Sequence, residues 1–153
     1  MTVHFDEMDV TDGTRPIFHC VSADLRYGKG LAKQIKEKFG RMDLVAAQDH
    51  SVGCAVDTQI DGRIIFHLVT KERYHQKPTL NSLVMCLKEL KDKALYRGIK
   101  SLQAPKYVSC GLDRLHWPTV LALIKETFQN TGIDIFICSL PHGSLDLRQR
   151  QRF

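Results

Sequence analysis

IFHCVSADLRYGKGLAKQIKEKFG, residues 17 to 40, changes its hydrophobic period twice. Ile17-Phe18-His19-Cys20-Val21 is a short apolar run that reads as a buried strand. Ser22 to Gly30 is polar and carries two glycines, as a loop does. From Gly30, Leu31, Ala32, Ile35 and Phe39 recur at helical spacing, and Gly40 stands where a helix stops. A strand thus feeds a glycine-containing loop and then a helix, the first half of a strand–helix–strand unit.

The pattern continues on both sides. Upstream, Val3-His4-Phe5 alternates as a strand. Downstream, Asp43 to Gln48 suits a short helix, and Cys54–Ile60 and Arg63–Thr70 flank Asp61-Gly62, a dipeptide that favours a two-residue hairpin turn. After Pro78-Thr79, Leu80, Leu83, Val84, Leu87 and Leu90 form an apolar stripe, with Lys88, Lys91 and Lys93 mostly outside it and Gly98 at its end. Ser101–Ala104 reads as a buried strand. Trp117-Pro118 opens a helix carrying Val120, Leu121, Ile124 and Phe128, closed by Asn130-Thr131-Gly132, and Ile133–Cys138 is a last strand. Strands alternating with helices around one hairpin predict an α/β sandwich with a mixed, largely parallel sheet over residues 1–140. The basic segment 141–153, with Arg148, Arg150 and Arg152, reads as a flexible appendage.

The 153 residues suffice for one domain with its own core, so a separate cofactor module does not fit. With 43% hydrophobic and 25% charged residues, the composition excludes a disordered, collagenous or coiled-coil chain. A net charge of +5 admits anionic partners but is equally explained by solvated lysines. Cys20, Cys54, Cys86, Cys110 and Cys138 are odd in number with no CxxC pair, which predicts reduced thiols in nucleus or cytoplasm. Met1 to Asp9 is acidic and no apolar run approaches about 20 residues, so neither a signal peptide nor a membrane span is expected.

Chemistry in such folds gathers in loops after strands, near helix N-termini. Ser22–Gly30 has the grammar of a phosphate cradle, since its glycines admit a ligand to the backbone and the next helix offers unpaired N–H groups. It is neither a P-loop nor a GxGxxG fingerprint. Cys110-Gly111-Leu112-Asp113-Arg114 follows a strand, where Asp113 suits either a ribose contact or a turn cap. Thr70-Lys71-Glu72-Arg73 ends the hairpin, where Lys71 is a nucleophile candidate or a plain surface lysine. The seven histidines include no HExxH or HxxxH, so no metal site is expected. Lys29, Lys33, Lys36, Lys38 and Arg41 could follow a nucleic-acid backbone, but no interleaved aromatics accompany them, and a solvated helix face explains them more simply.

Taken together, His19-Cys20-Val21-Ser22-Ala23-Asp24 with Gly28, Gly30, Leu31 and Ala32, then Leu68-Val69-Thr70-Lys71, Lys77-Pro78-Thr79, Ser109 to Leu115 with Trp117, and Cys138-Ser139-Leu140 resemble the macrodomain family. The branch is that of the terminal ADP-ribose protein glycohydrolases, also known as O-acetyl-ADP-ribose deacetylases. The resemblance spans about Val3 to Leu140 and implies a macrodomain-like α/β/α sandwich. It implies that Asp9 bonds the adenine amino group with Val10 beside it, and that Leu140 packs near the adenine. Cys20 and Ser22 lie near the distal ribose, and Gly28, Lys29, Gly30 and Leu31 run along the pyrophosphate and that ribose. Cys110, Gly111 and Leu112 form the second phosphate loop, and Lys71 and Asp113 are the catalytic pair.

The implied substrate is ADP-ribose esterified through its distal ribose to a glutamate or aspartate side chain, or to acetate. After ring opening, the neutral Lys71 amine attacks the anomeric carbon as the acyl carboxylate leaves. Asp113 holds the ribose hydroxyls and acts as acid and base in resolving the lysyl intermediate. No cofactor is implied, and nothing demands more than a monomer. Two positions depart from the family pattern. Lys29 replaces an alanine and either reaches a phosphate or crowds the ribose. Ser109 replaces a glycine on an approach one residue longer, where glycine serves a positive φ that serine adopts less readily. The alternative reading is a non-catalytic ADP-ribose reader. ADP-ribosylated nucleic-acid ends are a further partner class the resemblance admits.

Overall fold

The computed structural model describes residues 1–28, 30–109 and 114–140. In chain order these form β1 (Val3–Glu7), β2 (Ile17–Ser22), α1 (Gly30–Phe39), α2 (Met42–Ala46), β3 (Ala55–Ile60), β4 (Arg63–Lys71), α3 (Leu80–Tyr96), β5 (Ser101–Pro105), α4 (Trp117–Phe128) and β6 (Asp134–Ser139). The expected appendage 141–153 lies outside the described residues. No described helix is long and apolar enough to cross a membrane.

The sheet order is β1-β6-β5-β2-β4-β3. Every neighbouring pair is parallel except β3 with β4, which the Asp61-Gly62 hairpin joins antiparallel. Both turn residues have positive φ, 49° and 82°, as a two-residue hairpin turn matched to strand twist requires.

Strand parity divides the core into two layers. Phe18 and Cys20 of β2 and Phe66 and Leu68 of β4 face Leu83, Leu87 and Leu90 of α3 and Val120, Ile124 and Phe128 of α4. The alternate residues turn the other way: Ile17 and Ile65 meet Leu31 and Ile35 of α1, while Val21 and Val69 meet Val45 of α2. A strand buried on both faces reads as a continuous apolar run rather than an alternation, which is what the central strands show. Each large apolar side chain enclosed there contributes about 1.5–3 kcal/mol. The result is the α/β/α sandwich expected.

Helix α3 starts where Thr79 Oγ1 accepts the Ser82 N–H at 3.0 Å. It ends at Gly98 (φ 70°), where Ile99 N–H reaches Ala94 O and Gly98 N–H reaches Leu95 O. Its buried face differs from the expected stripe. Leu80 and Val84 are 43% and 42% exposed, whereas Ser82 and Cys86 are buried. The rotation has a polar cause: Ser82 Oγ donates to Thr70 O at 2.6 Å and Cys86 Sγ to Val69 O at 3.1 Å, drawing that flank onto β4. Lys93 also departs from expectation. It folds against the sheet, donating to Ala55 O at 2.6 Å and pairing with Asp57.

Arg63, at the start of β4, organises the β1–β2 loop. Its guanidinium donates to the carbonyls of Thr11, Asp12, Gly13 and Arg15. Gln103 adds bonds to Val10 O and Asp12 O. Lysine cannot reproduce that planar fork. Arg63→Lys is therefore expected to cost about 2 kcal/mol, because buried carbonyls lose their donors. Denaturant unfolding would show it, and an unchanged midpoint would contradict it.

Candidate active site

Helices α1 and α4 leave β2 and β5 toward opposite faces of the sheet, although those strands are neighbours. Loops diverging at such a point open a crevice beyond the strands' carboxyl ends. A cavity of about 580 Å³ lies there, walled by the ends of β2, β4 and β5 and the loops that follow them.

Of the residues singled out from sequence, Cys20, Ser22, Gly28, Leu31 and Lys71 line this cavity. Gly30 opens α1 beside them. Asp9, Val10 and Leu140 are not among the lining residues. Val10 is core, buried against Ile17, Leu31, Ile35, Ile65 and Cys138. One Asp9 carboxylate oxygen accepts both the backbone N–H and the hydroxyl of Thr11. Lys29, Cys110, Gly111, Leu112 and Asp113 fall outside the described residues. Ser109 and Arg114, which bracket 110–113, both line the cavity.

Lys71 reaches the site through an irregularity in the sheet. From Ile17↔Ile65 to Val21↔Val69 the β2–β4 register is regular, but Ser22 pairs with Lys71 rather than Thr70. One extra residue in a strand re-aims the side chains that follow it. The strands then continue together, with Ala23 N–H donating to Lys71 O at 2.8 Å and Asp24 N–H to Glu72 O. Asp24 links the loops that follow β2 and β4, accepting from Ser22 Oγ at 2.5 Å and from Tyr74 N–H at 3.1 Å. Desolvation acts to raise the Asp24 pKa, but these bonds and that from Arg26 N–H outweigh it and hold the carboxyl below its ordinary value. The Arg26 guanidinium sits over the Tyr74 ring, 4.9 Å from its centre.

Ser109 adopts φ 63°, so the position does require the left-handed conformation that glycine would take freely. Its hydroxyl lies 2.8 Å from Cys20 Sγ, tying the β5–α4 loop to β2. Ser109→Gly relieves about 1 kcal/mol of backbone strain and forfeits a bond of similar worth, so stability should stay within about 1 kcal/mol. Ser109→Val loses the bond and keeps a β-branched residue at positive φ, and should cost about 2 kcal/mol or more. Thermal unfolding of the two variants checks this, and equal midpoints would contradict it.

Beneath the cavity lies a polar cluster that sequence patterning did not single out. His19 and His67 face each other across β2 and β4, with Nε2 of His19 2.8 Å from Nδ1 of His67. Tyr27 OH lies 3.1 Å from the same nitrogen, and Thr58 Oγ1 lies 3.2 Å from His67 Nε2. Burial, together with the neighbouring His67 charge, drives the His19 pKa well below 6.5. Burial brings His67 to about 4 against an opposing pull from Asp57, and raises that of the Tyr27 phenol. The available signal was a histidine embedded in each of two apolar strand runs, IFHCV and FHLV, since a ring nitrogen buried there needs a partner. Arg26, Tyr74, His75, Gln76 and Tyr107 also line the cavity and were given no role from sequence.

The remaining candidates resolve more simply. Lys38 donates to Thr11 O and pairs with Asp12, Arg41 pairs with Asp43 and Lys33 with Glu37, so much of the basic cluster is engaged within the chain. Burial pushes the thiols of Cys86 and Cys138 up to about 12, leaving them protonated. Among the described residues no group of three or more His, Cys, Asp or Glu could hold a metal ion.

Known proteins bear on this site in two ways. The chain is 39% identical over 127 residues to the human protein named ADP-ribose glycohydrolase OARD1, covering 83% of each chain, and equally to its bovine counterpart. It also superposes on the macrodomain of Mycobacterium tuberculosis DarG with a TM-score of 0.81, at 18% identity over 92% of this chain and 99% of that one. Thermosipho africanus DarTG, solved in complex with ADP-ribose, gives 0.77 at 20% identity over 94% of this chain and 42% of that one. No protein-family model matches the chain.

Proposed function

The chain belongs to the macrodomain family, with the OARD1 ADP-ribose glycohydrolases, and from that premise we propose that it is a hydrolase releasing ADP-ribose from glutamate and aspartate esters on proteins, and from O-acetyl-ADP-ribose. The observation that carries this reading is Lys71, set by the register shift at the end of β4 into the same cavity as Ser22, Gly28 and Leu31.

The wall suits the ligand's charge. Gly30 opens α1 with no acidic residue in its first turn, so unpaired N–H groups and the positive dipole end favour a pyrophosphate. Arg26, Lys77 and Arg114 also line the cavity and add cations around it. Gly28 leaves open space where a Cβ would stand, which admits a phosphate close to the backbone. Where the ester oxygen is bonded to the anomeric carbon, the Lys71 amine attacks that carbon and the acyl carboxylate leaves with the bonding electron pair. Water then adds to that carbon, the amine departs, and free ADP-ribose forms. Asp113 is assigned the proton transfers of these steps through the family resemblance. ADP-ribosylated proteins are the partners this reaction needs, and the free thiols suit a reducing nucleus or cytoplasm.

The test is release of ADP-ribose from a protein mono-ADP-ribosylated on glutamate. Turnover supports the reading. Tight binding of free ADP-ribose by calorimetry without turnover makes the domain a reader instead, and absence of both overturns the proposal.

A further inference from the structure

The His19–His67 cluster has one arrangement of protons that serves its donors. Thr58 Oγ1 lies 3.5 Å from Ile65 O, a carbonyl that can only accept, so the hydroxyl donates there and accepts from His67 Nε2–H. His67 Nδ1 is then a bare acceptor, facing the Nε2–H of His19 and the phenolic O–H of Tyr27. The opposite tautomer strands the Tyr27 proton and a His19 N–H, and buried orphan donors are rarer than orphan acceptors. With its proton on Nε2, the neutral His19 ring carries a lone pair on Nδ1.

That lone pair has no partner. Among the described residues, His19 Nδ1 and Thr70 Oγ1 are the buried side-chain polar atoms without a hydrogen bond. His19 is 1% exposed, yet it lines the cavity. An enclosed, unsatisfied acceptor on a residue that borders the cavity calls for a donor that the ligand brings as it seats. Nothing else in the proposed mechanism uses it.

We propose that His19 is a specificity-determining residue, whose Nδ1, fixed as an acceptor by His67, Thr58 and the Ile65 carbonyl, takes a hydrogen bond from a ribose hydroxyl of bound ADP-ribose. This rests on the reading of the cavity as an ADP-ribose site. Two substitutions separate the ring's two edges. His19→Gln keeps an N–H directed at His67 and deletes the Nδ1 acceptor. His19→Asn keeps an acceptor at the Nδ1 position and loses the inner donor. A purely structural histidine is hurt more by losing the inner bond.

The experiment is calorimetry of free ADP-ribose with the full chain, together with 15N resonances of histidine-labelled wild type. His19→Gln is expected to bind about tenfold more weakly, and His19→Asn within about threefold of wild type. In the wild type, the His19 Nδ1 resonance should move on saturation while Nε2 stays protonated. The reverse order of affinities, two unchanged affinities, or an unmoved Nδ1 resonance at saturation overturns the inference and leaves the ADP-ribose site standing. Should the variants fail to fold, the wild-type resonance decides alone. Failure of wild type to bind ADP-ribose overturns the site reading and this inference with it.

Discussion

Lys71→Ala is expected to lower ADP-ribose release from a glutamate ester by about 10³-fold or more, some 4 kcal/mol of transition-state stabilisation, while ADP-ribose affinity stays within about tenfold. The split follows from the geometry. Alanine removes the attacking amine, but the features assigned to the pyrophosphate are the α1 N-terminus, the open backbone at Gly28 and the cations Arg26, Lys77 and Arg114, none of which depends on Lys71. Lys71→Arg sharpens the test. It preserves a cation at the end of β4, but a guanidinium does not give up its proton to become a nucleophile. Arginine should therefore be as inactive as alanine if the amine attacks, and largely active if only positive charge matters. Single-turnover release by the three proteins distinguishes these outcomes, and an alanine variant at the wild-type rate ends the nucleophile assignment.

Local patterns told most about the scaffold. The strand–loop–helix from Ile17 to Gly40, the Asp61-Gly62 turn and the Gly98 terminus follow from residues adjacent in sequence, and the structure has them where expected. Features made by distant segments were not legible in the same way. Arg63 is in sequence only the first residue of a strand after a hairpin turn, yet its carbonyl partners lie about fifty positions upstream. The buried face of α3 turned toward Ser82 because Thr70 O lies above it, which a count of leucines does not reveal. His19 and His67 become a pair only once β2 and β4 are known to be neighbours in register. The resemblance supplied what periodicity could not. It drew Ser22, Gly28 and Lys71 into one site and marked Ser109 as a glycine position, and the positive φ there gives the physical reason.

The same histidine pair should make the fold sensitive to acid. His67 is brought to about 4 from 6.5, so between those values the unfolded chain binds a proton that the folded chain refuses. Stability therefore rises with pH through that window and is lost as pH falls from 6.5 toward 4. At about 1.4 kcal/mol per pH unit, His67 alone accounts for about 3 kcal/mol, and His19, shifted in the same direction, adds to it. A single-domain protein is stable by only about 5–15 kcal/mol, so the loss is a large share of the total. His67→Phe removes the titrating ring. It also leaves His19 Nε2–H and the Tyr27 hydroxyl without their acceptor, so it should be less stable than wild type at pH 7.5. Its decline toward pH 4.5 should nevertheless be shallower by about 3 kcal/mol, which separates the protonation effect from the packing cost. Urea unfolding across that range measures both slopes, and parallel curves would show that the buried pair does not carry the acid sensitivity. Tyr27 makes the consequence reach the ligand. Its hydroxyl is held by His67, and Gly28 follows it directly in the cavity wall, so protonating the pair withdraws the acceptor that anchors this loop.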